Sequence, residues 1–475
     1  MNKYKKLASN TLVFAIGSFG SKILLLLLTR LYTANISSAD NSTKSLLEQT
    51  ANFIIPIATF SIAEAVIRYG LDREYNNKEV FTSACVTELI GIMIMLLFSP
   101  LLYLLPYAKG YVPLLLLYIL ASSFRQLNSQ FVRARGLVRL FALDGILATL
   151  SLFIFNVIFI SVLHLGVTGF MMAVMLSDFC SGMFLWIVAS LGKFFDLRYY
   201  NYEITKIMLR FSIPMIPTAV LWIITGFSDR LFVRYMVNFS VSPDVGDVAA
   251  GVYDASSKVP NLISMVSTIF FQAWNMSAIT ENNSNDRSIF YYRIFSAYQS
   301  IMFLGASFMV ALVKPLSNML IDSSTDPAYA RAYQFTPSLN VGVLMMSLNQ
   351  FLSSIYTATQ KTSHSFWTSL IAAITNLILN VILIYQWGVQ GAVIATFMSY
   401  FVCYVVRIID TRKIIYFKVY HGRFACNLLV LFFMCIMAIK EPKCLIPVQV
   451  FCLIFMVVFN SSAILQTVKK LLKRG

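Results

Sequence analysis

Lys22, Arg125 and Lys258, with the acids Glu64, Glu88, Asp178 and Asp254, stand inside stretches that are otherwise apolar. A charge near the centre of a bilayer costs about 2.5 to 3.5 kcal/mol on insertion scales, so each of these side chains should face a polar cavity or a partner. The bases suit the binding of an anion, and the acids suit coupling to a proton or cation. Structural alternatives stand beside each. Lys22 can pair with Glu64 or Glu88, and Lys258 lies one helical turn from Asp254. Glu64 and Arg68 are spaced for an intrahelical ion pair, and Arg68 also suits an inner-face anchor. Arg30 and Arg230 fall near outer helix ends, where they either bind ligand or reach the headgroups at little cost. Pro214, Pro217 and Pro260 mark hinges or static kinks.

The elements that must hold these residues follow from composition. Of the 475 residues, 58% are hydrophobic and 12% charged, roughly half the charged share of a soluble globule at about 25%. The chain is expected to be an all-α polytopic membrane protein. At roughly 20 residues per span it has room for about 14 transmembrane helices. With the N-terminus placed in the cytoplasm, most Lys and Arg fall on cytoplasmic segments, which puts both termini inside. The net charge of +16 then reports topology, not nucleic-acid binding. The N-terminal MNKYKK and its apolar run imitate a signal peptide, but the run is long, carries Lys22 and Arg30, and is expected to be retained. The seven cysteines read as packing residues. His164, His364 and His421 fall at loop edges, and no metal, cofactor or catalytic constellation is expected. The longest outer segments, 236–248 and 314–335, hold Asp244, Asp247, Asp322 and Asp326 without a nucleophile and base, which argues against an enzyme.

A repeat supplies the architecture. Gly388-Val389-Gln390-Gly391 repeats Gly166-Val167-Thr168-Gly169, and at the same offset Ala395 falls on Ala173 and Ser399 on Ser177. Asn380 echoes Asn156 at nearly the same distance from the turn. Each copy reads as an apolar helix carrying one Asn, a tight glycine turn, and a second apolar helix that begins with small side chains. Duplication of a six-helix unit predicts an N-terminal lobe over 1–191, a cytoplasmic linker over 192–206 and a C-terminal lobe over 207–409. Two additional helices and a cytoplasmic tail over 410–475 remain. Six spans per unit keep both copies in the same direction, so the pseudo-twofold axis runs along the membrane normal. Such lobes enclose a central cleft suited to alternating access.

Several segments in this order resemble one family: AEAVIRY after the second span, RARGLVRLFALDGILATL leading into the fifth, and SIPMIP then SDR in the seventh. GVYDASSKVP and FFQAW in the eighth and LNVILIYQWGVQGA near the end complete the set. The chain resembles the Wzx-like polysaccharide flippases of the multidrug, oligosaccharidyl-lipid and polysaccharide (MOP) exporter superfamily over nearly its whole length. The resemblance implies flipping of undecaprenyl-diphosphate-linked oligosaccharide across the bacterial cytoplasmic membrane. It also implies a cleft lined by spans one, two, seven and eight. Lys22, Arg125, Lys258, Arg30 and Arg230 would then meet the diphosphate, and Glu64, Glu88, Asp178 and Asp254 would be the coupling candidates. Membrane lipids, and the polymerase and glycosyltransferases of the same pathway, are the expected partners. Two alternatives stay open: a peptidoglycan lipid II flippase, and a multidrug cation antiporter, whose cleft should be acidic.

Overall fold

The computed structural model describes residues 24, 26–72, 74–240, 243–280, 286–359 and 361–472. Among these there is no strand. After a helical stretch at 26–35 (α1), the chain forms α2 (Ser38–Ala58), α3 (Ile62–Gly70), α4 (Asn77–Phe98), α5 (Val112–Ala134), α6 (Val138–Asn156) and α7 (Gly166–Val188). It continues through α8 (Tyr202–Ser212), α9 (Met215–Ser240), α10 (Pro243–Ser256), α11 (Asn261–Thr280), α12 (Arg287–Ala311) and α13 (Val313–Leu320). It ends in α14 (Ala332–Ala358), α15 (Thr362–Trp387), α16 (Val389–Ile414), α17 (His421–Lys440) and α18 (Leu445–Leu472). Among the described residues eight helices are long and apolar enough to cross a membrane, and a ninth span counts if the bent pair α2 and α3 is taken as one. Exposed Leu89, Met93 and Leu97 on α4, and Ile374, Ile378 and Val381 on α15, give these helices apolar outer faces. Such faces suit contact with lipid.

Three helical stretches are broken. The chain bends by 55° between α2 and α3. Pro56 lies in the last turn of α2, and Phe60 and Ser61 take left-handed φ of 51° and 49°. Glu64 and Arg68 therefore sit on a separate short helix, both exposed, and among the described residues they make no ion pair with each other. Pro214 lies in the gap between α8 and α9, with Pro217 in the first turn after it, so the helix stops where a backbone donor is missing. Pro260 closes the gap between α10 and α11.

Chain contacts divide the molecule into one unit over Ile23–Leu231 and another over Phe232–Gly475. Each contains one copy of the glycine hairpin, and the glycines have distinct reasons to be there. Gly166 and Gly388 adopt φ of 54° and 55°, which a side chain resists. Gly169 and Gly391 press against the preceding helix. A Cβ on Gly169 would lie 2.9 Å from the Phe159 carbonyl oxygen, and one on Gly391 only 2.1 Å from that of Leu383. Gly391→Ala is expected to lower stability by about 1 to 3 kcal/mol through forced backbone displacement. Thermal unfolding should show Gly391→Ala less stable than Gly305→Ala, whose Cβ meets nothing within 4 Å.

In the first unit Phe81 stacks on Phe131 at 4.3 Å between α4 and α5, beside Leu127, Val132 and Leu185. The second unit is built on aromatics. Trp274, Phe351, Tyr298 and Phe270 stack between α11, α12 and α14, and the Trp274 indole N–H donates to Ser354 Oγ at 2.7 Å. With lipid outside, this close packing and internal hydrogen bonding, not exclusion of water, hold the helices together.

At one end of the second unit, the Lys314 ammonium on α13 donates to Glu441, which follows α17. The Lys314 bond holds the Glu441 carboxyl below its ordinary value of 4.5, and the Glu441 bond holds Lys314 above 10.5. The stabilisation is therefore full between these values. It is lost as pH falls through the depressed Glu441 pKa, and as pH rises through the raised Lys314 pKa. Both groups are solvent-accessible, so screening keeps the effect small, below about 1 kcal/mol. Glu441→Gln should flatten a shallow fall in melting temperature below about pH 4.

Candidate functional site

The helices α5, α6 and α7 converge on Arg125. Its Nη1 donates to Asp178 on α7 at 3.0 Å, Nη2 to Asp144 on α6 at 3.4 Å, and Nε to Ser181 on α7 at 2.9 Å. The Ser122 hydroxyl also donates to Asp178, and that of Ser181 to Asp144. The Asp144 side chain is 2% exposed, that of Asp178 15% and that of Arg125 28%. One guanidinium thus spans two carboxylates at membrane depth, a ratio that leaves one acid in excess when both are ionised. Arg125 and Asp178, assigned separate chemistry in the sequence, form one cluster here. Asp144 was missed although it lies in an apolar run, because it stands close behind the basic loop that opens α6.

A second arginine performs the corresponding structural task in the other unit. Arg407 on α16 is fully buried. It donates to Thr368 and Ser369 on α15 at 3.0 and 2.9 Å, and to the Asn349 carbonyl on α14 at 2.7 Å. In both units an asparagine on the helix before the hairpin reaches the hairpin's second helix: Asn128 donates to the Gly182 carbonyl and Asn349 to that of Tyr400. The repeat read in the glycines therefore extends to the polar contacts that fix the hairpins.

The remaining candidates are dispersed. Asp254 is 1% exposed and accepts from Lys258 Nζ at 2.8 Å; Lys258 is 22% exposed and lies in the break after α10. The pairing of these two residues across one turn is as the sequence spacing allows. Arg230 donates to the Gly226 carbonyl on its own helix at 2.7 Å, beside buried Asp229. Arg30 is exposed. Glu88 is 5% exposed, and among the described residues no base lies at ion-pair distance from it. Lys22 lies outside the described residues. Sequence reasoning also passed over Lys44, which is 2% exposed with its ammonium over the Tyr32 and Phe170 rings at 4.3 and 4.8 Å. It sits just before an apolar run, where a lysine looks like an ordinary end marker. Arg234 on α9 holds Asp247 on α10 at 2.6 Å, which gives one of the outer-segment acids a structural role. Among the described residues no group of three or more His, Cys, Asp or Glu could hold a metal. An apolar groove of about 680 Å³ lies between α17 and α18, lined by Leu429, Phe433, Phe451 and Phe455 among others.

Comparison with known proteins gives a consistent fold. Residues 262–458, from α11 into α18, match the family of the lipid II flippase MurJ. The inward-facing structure of a multidrug resistance MATE family transporter of the MOP superfamily superimposes with a TM-score of 0.71 at 14% identity, covering 87% of this chain and 99% of that one. The lipid II flippase MurJ in an inward closed conformation gives 0.69 at 14% identity, covering 95% of this chain and 98% of that one. A MATE structure in complex with MaD3S gives 0.60 at 15% identity over 87% of this chain and 96% of that one. No curated protein matches in sequence. The chain shares the all-helical, multi-pass fold of these MATE and MurJ structures.

Proposed function

We propose that the protein is a flippase that carries a polyprenyl-diphosphate-linked oligosaccharide from the inner to the outer leaflet of the bacterial cytoplasmic membrane, by alternating access of its two lobes, for cell-surface polysaccharide synthesis. The observation that carries a lipid-linked cargo is the match of residues 262–458 to the lipid II flippase family, which takes in α17 and the first half of α18. Superposition on the MurJ structure reaches 95% of this chain, against 87% for the MATE transporters. The groove between α17 and α18 suits a polyprenyl tail that stays in the bilayer while the saccharide crosses. The same family match favours a second reading, in which the cargo is lipid II itself.

In this proposal Lys22, Arg30, Arg230 and Lys258 meet the diphosphate in place of water, and Arg125 acts through its hold on Asp144 and Asp178. With the cytoplasm negative, outward movement of an anion gains about 2.3 kcal/mol per charge per 100 mV. Coupling to a proton or cation falls to the acids Glu64, Glu88, Asp178 and Asp254, and the Arg125 cluster, with its excess carboxylate, is the strongest of these. Pro214, Pro217 and Pro260 serve as hinges, both termini are cytoplasmic, and the polymerase and glycosyltransferases of the pathway work alongside. The test is translocation in proteoliposomes with three cargoes: a fluorescent polyprenyl-diphosphate oligosaccharide, fluorescent lipid II and a cationic dye. Movement of the oligosaccharide, lost in Lys22→Ala, is the expected result. Preference for lipid II selects the second reading, and export of dye alone overturns both.

A further inference from the structure

The hairpin of α15 and α16 carries, at the end where α15 begins and α16 finishes, a groove of about 530 Å³ that belongs to none of the features above. Its lining is layered along the helix axes. Ser363, His364, Asp410 and Lys413 form the outermost layer, Trp367 lies one turn inward, and Ile371 and Val406 lie deeper. Trp367 is 59% exposed and Ile371 40%, so the indole and the aliphatic chains face the bilayer. Polar groups, then an indole, then aliphatic carbon is the gradient of a membrane interface, and it has the shape of an amphiphile.

The polar layer holds one base, Lys413, and one acid, Asp410, and Lys361, two residues before Ser363, adds a second base at the same end of α15. Asp410 is already engaged, its Oδ2 accepting from Tyr356 at 2.7 Å and lying 2.9 Å from His364 Nδ1. Lys413 and Lys361 are exposed, and among the described residues neither has an ion-pair partner. Lys361 is the N-cap of α15 and offers no side-chain cap, so the first-turn N–H groups of a 26-residue helix add their positive end to the two ammonium groups. The floor is fixed: Thr368, which lines the groove, accepts from the buried Arg407 guanidinium. A phosphate held by Lys413, Lys361 and the helix start would leave its acyl chain along Trp367, Ile371 and Ile409.

We infer that this groove is a seat for an anionic glycerophospholipid of the surrounding bilayer, with the phosphate at Lys413 and Lys361 and an acyl chain beside Trp367. The assignment does not depend on the transported cargo. The experiment is native mass spectrometry of the full-length protein in detergent with added dioleoylphosphatidylglycerol, dioleoylphosphatidylcholine or undecaprenyl phosphate. Wild type should retain a phosphatidylglycerol adduct at least fivefold better than phosphatidylcholine. Lys361→Gln with Lys413→Gln should lose that preference, while Lys361→Arg with Lys413→Arg keeps it. Both positions are exposed, so melting temperatures in lipid-free detergent should agree with wild type. Equal retention by the Gln variant overturns the site, as does equal retention of the two phospholipids. Tighter binding of undecaprenyl phosphate would reassign the groove to the cargo lipid.

Discussion

Replacing Arg125 by Leu is expected to destabilise the protein by about 3 to 5 kcal/mol, enough to remove most of the folded population from membranes. The effect comes less from the lost hydrogen bonds than from what they leave behind. Asp144 and Asp178 would face each other across α6 and α7 with only serine hydroxyls as donors, and Asp144 is almost fully enclosed. Adding Asp144→Asn and Asp178→Asn to Arg125→Leu should recover much of the folded yield, because neutral amides need no counter-charge at membrane depth. Size-exclusion profiles of the detergent-extracted variants, with melting curves, check both steps. A stable Arg125→Leu single variant would mean that the two acids hold protons or another cation in the native protein. It would also promote them as the coupling site.

That cluster shows what the sequence could and could not tell. The spans were legible because apolar runs of about 20 residues have few other uses. The hairpins were legible because the glycine turn needs glycine for two separable reasons: a left-handed φ at Gly166 and Gly388, and carbonyl contact at Gly169 and Gly391. Breaks within spans were legible where proline causes them, as at Pro214 and Pro260. The bend after α2 was less so, because half its cause is the left-handed pair Phe60 and Ser61, residue types that give no warning of positive φ. The site was harder still. A lone charge in an apolar run announces that it must have a partner, but not which one, since partners come from other helices. Arg125 and Asp178 were separately visible, yet only the packing of α5 on α7 makes them neighbours. Lys44 and Arg407 lay near the ends of apolar runs, where basic residues are expected, and their burial depends on rings and hydroxyls contributed by distant segments.

The Asp254 and Lys258 pair can separate a structural role from a transport role, which Arg125 cannot. Lys258→Met removes a cation from Asp254, which is 1% exposed, and should lower stability by about 3 to 5 kcal/mol. Asp254→Asn with Lys258→Met removes both charges and should restore most of the loss, since the break between α10 and α11 is set by Pro260 and not by the ion pair. Within the pair, however, the carboxylate is hidden while the ammonium retains 22% exposure, so Lys258 is the group that can reach a ligand. If it meets a diphosphate, the double variant will fold and insert normally yet flip the lipid-linked saccharide at least tenfold more slowly than wild type. Flipping at the wild-type rate by the folded double variant would show that Lys258 only neutralises Asp254 and would remove it from the cargo path. Loss of flipping that is restored by Asp254→Asn with Lys258→Arg would place the required charge on residue 258 itself, independent of its acidic neighbour.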